Sequence, residues 1–146
     1  MSSVQVKDIL CSIRRFYASL AEAFEDALPE ATGEQIPFLL EYIAHHEKQL
    51  QDFCEDLEEE SDPGVLNTWL QFGAEESLDQ ILAGLDLHAG MDEDEILGEA
   101  LKVDSKLVAL YEQLAGESSV LHVQDLFEDL ARLQEARERQ LARVIR

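Results

Sequence analysis

The sequence predicts one all-α domain over residues 1–146, built on four long helices. Three observations predict it. Apolar residues recur at steps of three and four along four separate stretches, the spacing of helices with one buried face. The three prolines and seven glycines punctuate the chain rather than scatter through it. The links between the first and second stretches and between the third and fourth are short, whereas the link between the second and third spans about 30 residues.

The first stretch carries Val6, Ile9, Leu10, Ile13, Phe16, Tyr17, Leu20, Phe24 and Leu28, a helix over about 4–28 that Pro29 and Gly33 end. The second carries Ile36, Leu39, Leu40, Ile43, Leu50, Phe53 and Leu57. Pro37 is tolerated only in a first turn, so this helix covers about 34–60 and stops at Ser61-Asp62-Pro63-Gly64. The third, about 92–115, opens on Asp92 with Glu95 three residues later, a capping-box spacing, and closes at Gly116. The fourth, about 119–145, runs from Val120 and Val123 to Val144 and Ile145, with Ser118 or Ser119 as its cap. Helices of this length joined by four or five residues fold back as antiparallel pairs.

The connection over about 61–91 is long enough to run the length of the bundle, and it has helical signals of its own. Asp62 caps Pro63 ahead of Val65 and Leu66, and Ser77 with Gln80 brackets Leu78 ahead of Ile81 and Leu82. It therefore reads as two short helices lying on the bundle, anchored by Trp69 and Phe72. Short, long, short is the connection pattern of a bundle with one long crossover between helices 2 and 3. An alternating up-and-down bundle with an insertion is the competing topology.

Charge narrows the function. Thirty-two Asp and Glu stand against 11 Lys and Arg, a formal net charge of −21. Such a chain is repelled by phosphate backbones and anionic lipid, which argues against nucleic acid and membranes as partners and leaves a basic protein partner or bound cations. Met1-Ser2-Ser3-Val4 lacks the basic start and apolar run of a secretory signal, so a cytoplasmic location is expected. No Gly-rich phosphate loop, Gly-x-Ser-x-Gly or Cys-x-x-Cys motif occurs, and nothing points to nucleophilic catalysis.

The core stripes break part-way along three helices. Between Ile43 and Leu50 the inward positions are His46 and Glu47. The third helix places Val103 and Asp104 there, and the fourth places Gln134 and Arg137 between Leu130 and Leu141. Buried charge is costly unless it is paired or bound to metal, so this layer is the candidate site.

In Leu40-x-x-Ile43-Ala44-x-x-Glu47, Ala100-Leu101-x-x-Asp104 followed by Tyr111, and Phe127-x-x-Leu130-Ala131, the chain resembles the ferritin-like superfamily, and most of all its rubrerythrin-type members. The resemblance implies a ferritin-like four-helix bundle with one long helical crossover between helices 2 and 3. It also implies a site of two iron or manganese ions held by Glu on the first and third helices and Glu-x-x-His on the second and fourth. Glu47 falls on the second-helix Glu, with Leu50 in place of its His. Asp104 falls on the third-helix carboxylate, Gln134 and Arg137 on the fourth-helix pair, and Leu10 on the first-helix ligand. Two carboxylates of six ligands remain.

Three readings follow. In the first, no cofactor is expected: the guanidinium of Arg137 is gripped by Glu47 and Asp104 with help from Gln134, a polar plug in a non-enzymatic scaffold that acts as an interaction or homodimer module through surface residues such as Trp69 and Phe72. In the second, Glu47, Asp104 and His46 hold iron or manganese for redox or metal-handling chemistry. In the third, Cys11 and Cys54, brought level if the first two helices fold back about residues 30–32, form a redox pair; two reduced, buried thiols are the plainer expectation. His45, His88 and His122 have no imidazole spaced to join them in a site. The acidic run Asp92 to Glu95 suits a helix start, and the five arginines from Arg132 to Arg146 suit pairing with carboxylates of this chain or of another subunit.

Overall fold

The computed structural model describes residues 3–31, 35–71 and 74–144. The expected helix stop at Gly33, the helix start at Glu34, the anchor Phe72 and the terminal Ile145 and Arg146 lie outside the described residues. The chain is mostly helical. The four long helices are α1 (Val6–Asp26), α2 (Gln35–Glu60), α5 (Glu93–Gly116) and α6 (Leu121–Ala142). Between α2 and α5 come α3 (Pro63–Leu66) and α4 (Glu75–Ala83), with a two-residue strand β2 (Trp69–Leu70) that pairs with β1 (Val4–Gln5).

The long helices bury most of the stripes that their periodicity announces, although Ile36, Phe53 and Leu57 of the second are only partly buried and Val120 and Val144, at the ends of the fourth, are exposed. α1 turns Val6, Ile9, Leu10, Ile13, Phe16, Tyr17, Leu20, Ala21 and Phe24 inward. It ends two residues earlier than the pattern suggests, because Pro29 tightens Leu28–Glu30 into a single 3-10 turn. α5 opens on the expected reciprocal cap: the Asp92 carboxylate accepts from Glu95 N at 2.8 Å, and Glu95 Oε1 accepts from Asp92 N at 3.2 Å.

Two expected caps differ. Ser77 lies inside α4, which begins at Glu75 with Ala74 before it and no side-chain cap. Ser118 does not cap α6 directly. Its Oγ accepts from Val120 N at 3.0 Å, and its carbonyl accepts from Gln124 Nε2 at 2.6 Å, bracing the turn from which α6 starts.

α1 packs along α2, and α5 along α6. The two pairs meet so that α2 and α5 are parallel. Ile36 and Leu40 at the start of α2 line one cleft together with Ala27, just beyond the end of α1, and Ile96 at the start of α5. The crossover therefore spans the length of the body. At the far end β1 and β2 pair antiparallel, Val4 with Leu70 and Gln5 with Trp69, and Val6 N donates to Thr68 O at 3.0 Å. α4 then runs back against α1 and α5, burying Leu78 and Ile81.

Trp69 is not the crossover's anchor. Successive strand residues point to opposite sides, and here Leu70 takes the inward place at 3 % exposure while Trp69 is left 62 % exposed.

The register of α1 on α2 also departs from expectation. Arg14 Nε meets Glu58 Oε2 at 2.6 Å and Lys48 Nζ meets Glu25 Oε1 at 2.9 Å, so Cys54 is level with Ala18 rather than with Cys11. α1 ends at Asp26 and α2 begins at Gln35, so the fold-back brackets residues 30–32 as expected, and the difference lies in how far the two helices are offset along each other. Cys11 stands about seven helical residues from that level, or about 10 Å along the axis, which exceeds the reach of a disulfide. Both thiols are free, with Cys54 buried.

Gly90 precedes α5 at φ +88°, where a side chain is strained whatever the space, and Gly98 lies within α5 with open space where a methyl group would stand. Gly90→Ala is expected to lower stability by about 1 kcal/mol, and Gly98→Ala to raise it by about 0.5–1 kcal/mol; urea-unfolding midpoints measure both.

Candidate functional site

The break in the stripes becomes a buried polar layer at mid-height. Tyr17 from α1, Glu47 from α2, Asp104 and Tyr111 from α5, and Gln134 from α6 are each at most 5 % exposed. Parallel α2 and α5 bring Glu47 and Asp104 into one layer, and the hairpin turn near residue 120 brings Gln134 beside Asp104.

The layer's hydrogen bonds run in one direction. Gln134 Nε2 donates to Asp104 Oδ1 at 2.7 Å, and Gln134 Oε1 accepts from the Tyr17 hydroxyl at 2.7 Å. Tyr17 has a single proton and commits it there, so in the 2.6 Å contact between the two phenol oxygens Tyr111 is the donor. The chain of bonds runs from Tyr111 to Tyr17 to Gln134 to Asp104, and it ends on a carboxylate oxygen that accepts.

Burial shapes the protonation of every ionisable member. It raises both tyrosines well above the ordinary phenol value, which keeps them neutral donors. Burial first, and then the charge of Glu138, pushes the Asp104 carboxyl up to about 7, against the pull of the Gln134 bond. Glu47 is raised well above its ordinary value by burial and then by repulsion from Asp104, with Arg137 opposing. Its Oε2 is buried with no hydrogen-bond partner among the described residues.

Arg137 does not fill the space between the carboxylates. Its Nη1 lies 3.4 Å from His46 Nδ1 and 3.4 Å from Gln140 Oε1, at the rim of the layer, and among the described residues no ion pair joins it to Glu47 or Asp104. The neutral amide of Gln134 occupies the place expected for the guanidinium, because a planar amide can bridge Tyr17 and Asp104 without bringing a charge into the core. His46 stacks against Tyr42 with ring centroids 4.2 Å apart, and burial followed by the Arg137 charge lowers its pKa.

By periodicity alone, Tyr17 and Tyr111 are indistinguishable from core filler. The signal that marks them is chemical: a fully buried phenol needs a partner for its hydroxyl, and Gln134 and Asp104 are the polar residues at matching depth. The remaining candidates do not converge on this layer. His45 contacts Gln49, His88 faces the carbonyl of Ala89 in the crossover, and His122 is exposed in the first turn of α6. Among the described residues no group of three His, Cys, Asp or Glu is placed to hold a metal ion. The donor set does not fit a pair of iron or manganese ions: two carboxylates remain, and an amide N–H is aimed at one of them. Comparison of the chain with protein-family models, curated proteins and solved structures finds no match in any of the three.

The direction of the hydrogen bonds makes the two phenols unequal. Tyr17→Phe strips the donor from Gln134 Oε1 and the acceptor from Tyr111, and is expected to cost about 1–3 kcal/mol. Tyr111→Phe empties only a lone pair on Tyr17 and should cost less; urea unfolding of both variants ranks them.

Because the native state holds the Asp104 proton more tightly than the unfolded chain, it binds more protons between about pH 4 and pH 7. This carboxyl therefore favours folding at the acid end of that window, and stability falls as pH rises through it. Asp104→Asn keeps an acceptor for Gln134, so it should flatten the slope and be more stable than the parent above about pH 7, as read from unfolding free energies across the range.

Proposed function

We propose that this chain is a non-enzymatic ferritin-like scaffold, a four-helix bundle with one long crossover, that acts as a protein-interaction or homodimer module. The fold part of this reading is supported by parallel α2 and α5 and by a crossover that runs the length of the body. The observation that carries the functional part is the closed chain Tyr111–Tyr17–Gln134–Asp104. In a metal-handling bundle the inward groups present lone pairs to ions. Here Gln134 presents a hydrogen to Asp104, and the two phenols satisfy the Gln134 carbonyl and each other. Chemistry is thereby moved out of the core, and the exposed apolar residues, Trp69 among them, become the surface through which such a module works.

One observation favours a second reading, in which Glu47, Asp104 and His46 hold a single iron or manganese ion: the Glu47 oxygen that has no partner among the described residues. The two readings separate on elemental analysis of protein purified without chelator or metal-affinity resin, repeated after incubation with iron(II), manganese(II) and zinc(II). The scaffold is expected to carry only traces of metal and to melt at an unchanged temperature with each ion. Glu47→Gln is expected to alter stability alone. Near-stoichiometric metal that disappears in Glu47→Gln would replace the scaffold reading with the metal-handling one.

A further inference from the structure

The end of the body where α1 begins and α2 ends joins two features that serve no purpose inside the fold. The first is Trp69, the sole tryptophan of the chain, 62 % exposed on the outward side of the β1–β2 ribbon. The second is the C-terminal part of α2, where Glu55, Asp56, Glu59 and Glu60 are all exposed. A helix C-terminus is the negative end of its dipole, and α2 has no basic residue in its last turn. Glu59 and Glu60 there work against the helix that carries them. The basic residues nearby are Lys7, Arg14 and Arg15, and Arg14 is already held by Glu58 at 2.6 Å. The ribbon is tied to this end by Val6 N to Thr68 O. It lies about nine helical residues, or about 14 Å, beyond the Arg14–Glu58 pair along α1.

We propose that this end is a docking surface for a basic polypeptide segment, with Trp69 as the anchor and the α2 carboxylates as the rim. One chemistry satisfies both features. Lysine and arginine side chains lie favourably over an indole face, neutralise carboxylates, and relieve the unfavourable charge at the end of α2. A second copy of this chain is the poorer occupant, since it brings another −21 to a surface that is already acidic. Anionic lipid and nucleic acid are repelled by the same field.

This inference rests on the scaffold reading and gives it a partner class. The test is a titration of the whole protein with a short amphipathic helix of lysine and leucine, followed by the emission of Trp69, with the same peptide carrying glutamate for lysine as the control. The expected result is a blue shift with the basic peptide alone, weakening as salt is raised. Combined substitution of Glu55→Gln, Glu59→Gln and Glu60→Gln leaves the fold's hydrogen bonds intact and should weaken binding about ten-fold at low salt. Trp69→Ala, followed by calorimetry, should weaken it by at least as much.

No shift with the basic peptide, an equal shift with the acidic one, or unchanged binding by the triple variant would overturn the proposal. So would a blue shift on concentrating the protein alone, which would mean that a second copy covers Trp69. The two readings fail separately. Stoichiometric metal uptake removes the scaffold reading whatever Trp69 does, whereas a metal-free protein with a silent Trp69 removes only this surface.

Discussion

The Tyr17 hydroxyl fixes the arrangement of the protein's interior. By donating to Gln134 it decides which way that amide faces, and the amide in turn decides that Asp104 is an acceptor. Reversing any one bond would leave a donor facing a donor, or two lone pairs facing each other, in a layer that water scarcely reaches. Long helices from all four quarters of the fold contribute to this layer. Its hydrogen bonds therefore set a rotation for α1, α5 and α6 that apolar packing alone, tolerant of exchange among Leu, Ile and Val, would not impose.

Much of the helical framework is legible in the sequence because it depends on periodicity and punctuation, which are local. The stripe from Val6 to Phe24, the Asp92–Glu95 cap and the stop after Glu60 need only neighbours within a few residues. What stays hidden depends on registers between helices. The level of Cys54 depends on how far α1 and α2 are offset along their axes, and the number of link residues does not carry that information. Size and apolarity suggest burial for Trp69. A two-residue strand can bury only one of two neighbours, and Leu70 takes the place.

The candidate layer is legible in its members and not in its bonding. Glu47, Asp104 and Gln134 stand out as polar residues on apolar faces, and all three are buried. Charge alone would put Arg137 among them. Its long side chain instead reaches the rim, where part of the guanidinium meets solvent, which costs less than burying it beside carboxyls that burial itself neutralises. Tyrosine is the missing partner because a phenol counts as apolar in a periodicity argument and as polar only once it is inside.

The β1–β2 ribbon has a consequence for how the chain reaches this structure. The α1–α2 and α5–α6 hairpins close through short links and can form from neighbouring sequence. The ribbon joins Val4 to Leu70 with the whole of α1 and α2 between them, so its two residue pairs cannot nucleate anything. It is a latch, set after the hairpins have met and the crossover has been laid along them. Amide protons at Val6 should accordingly exchange sooner than those of mid-α1, since undoing the latch leaves both hairpins standing.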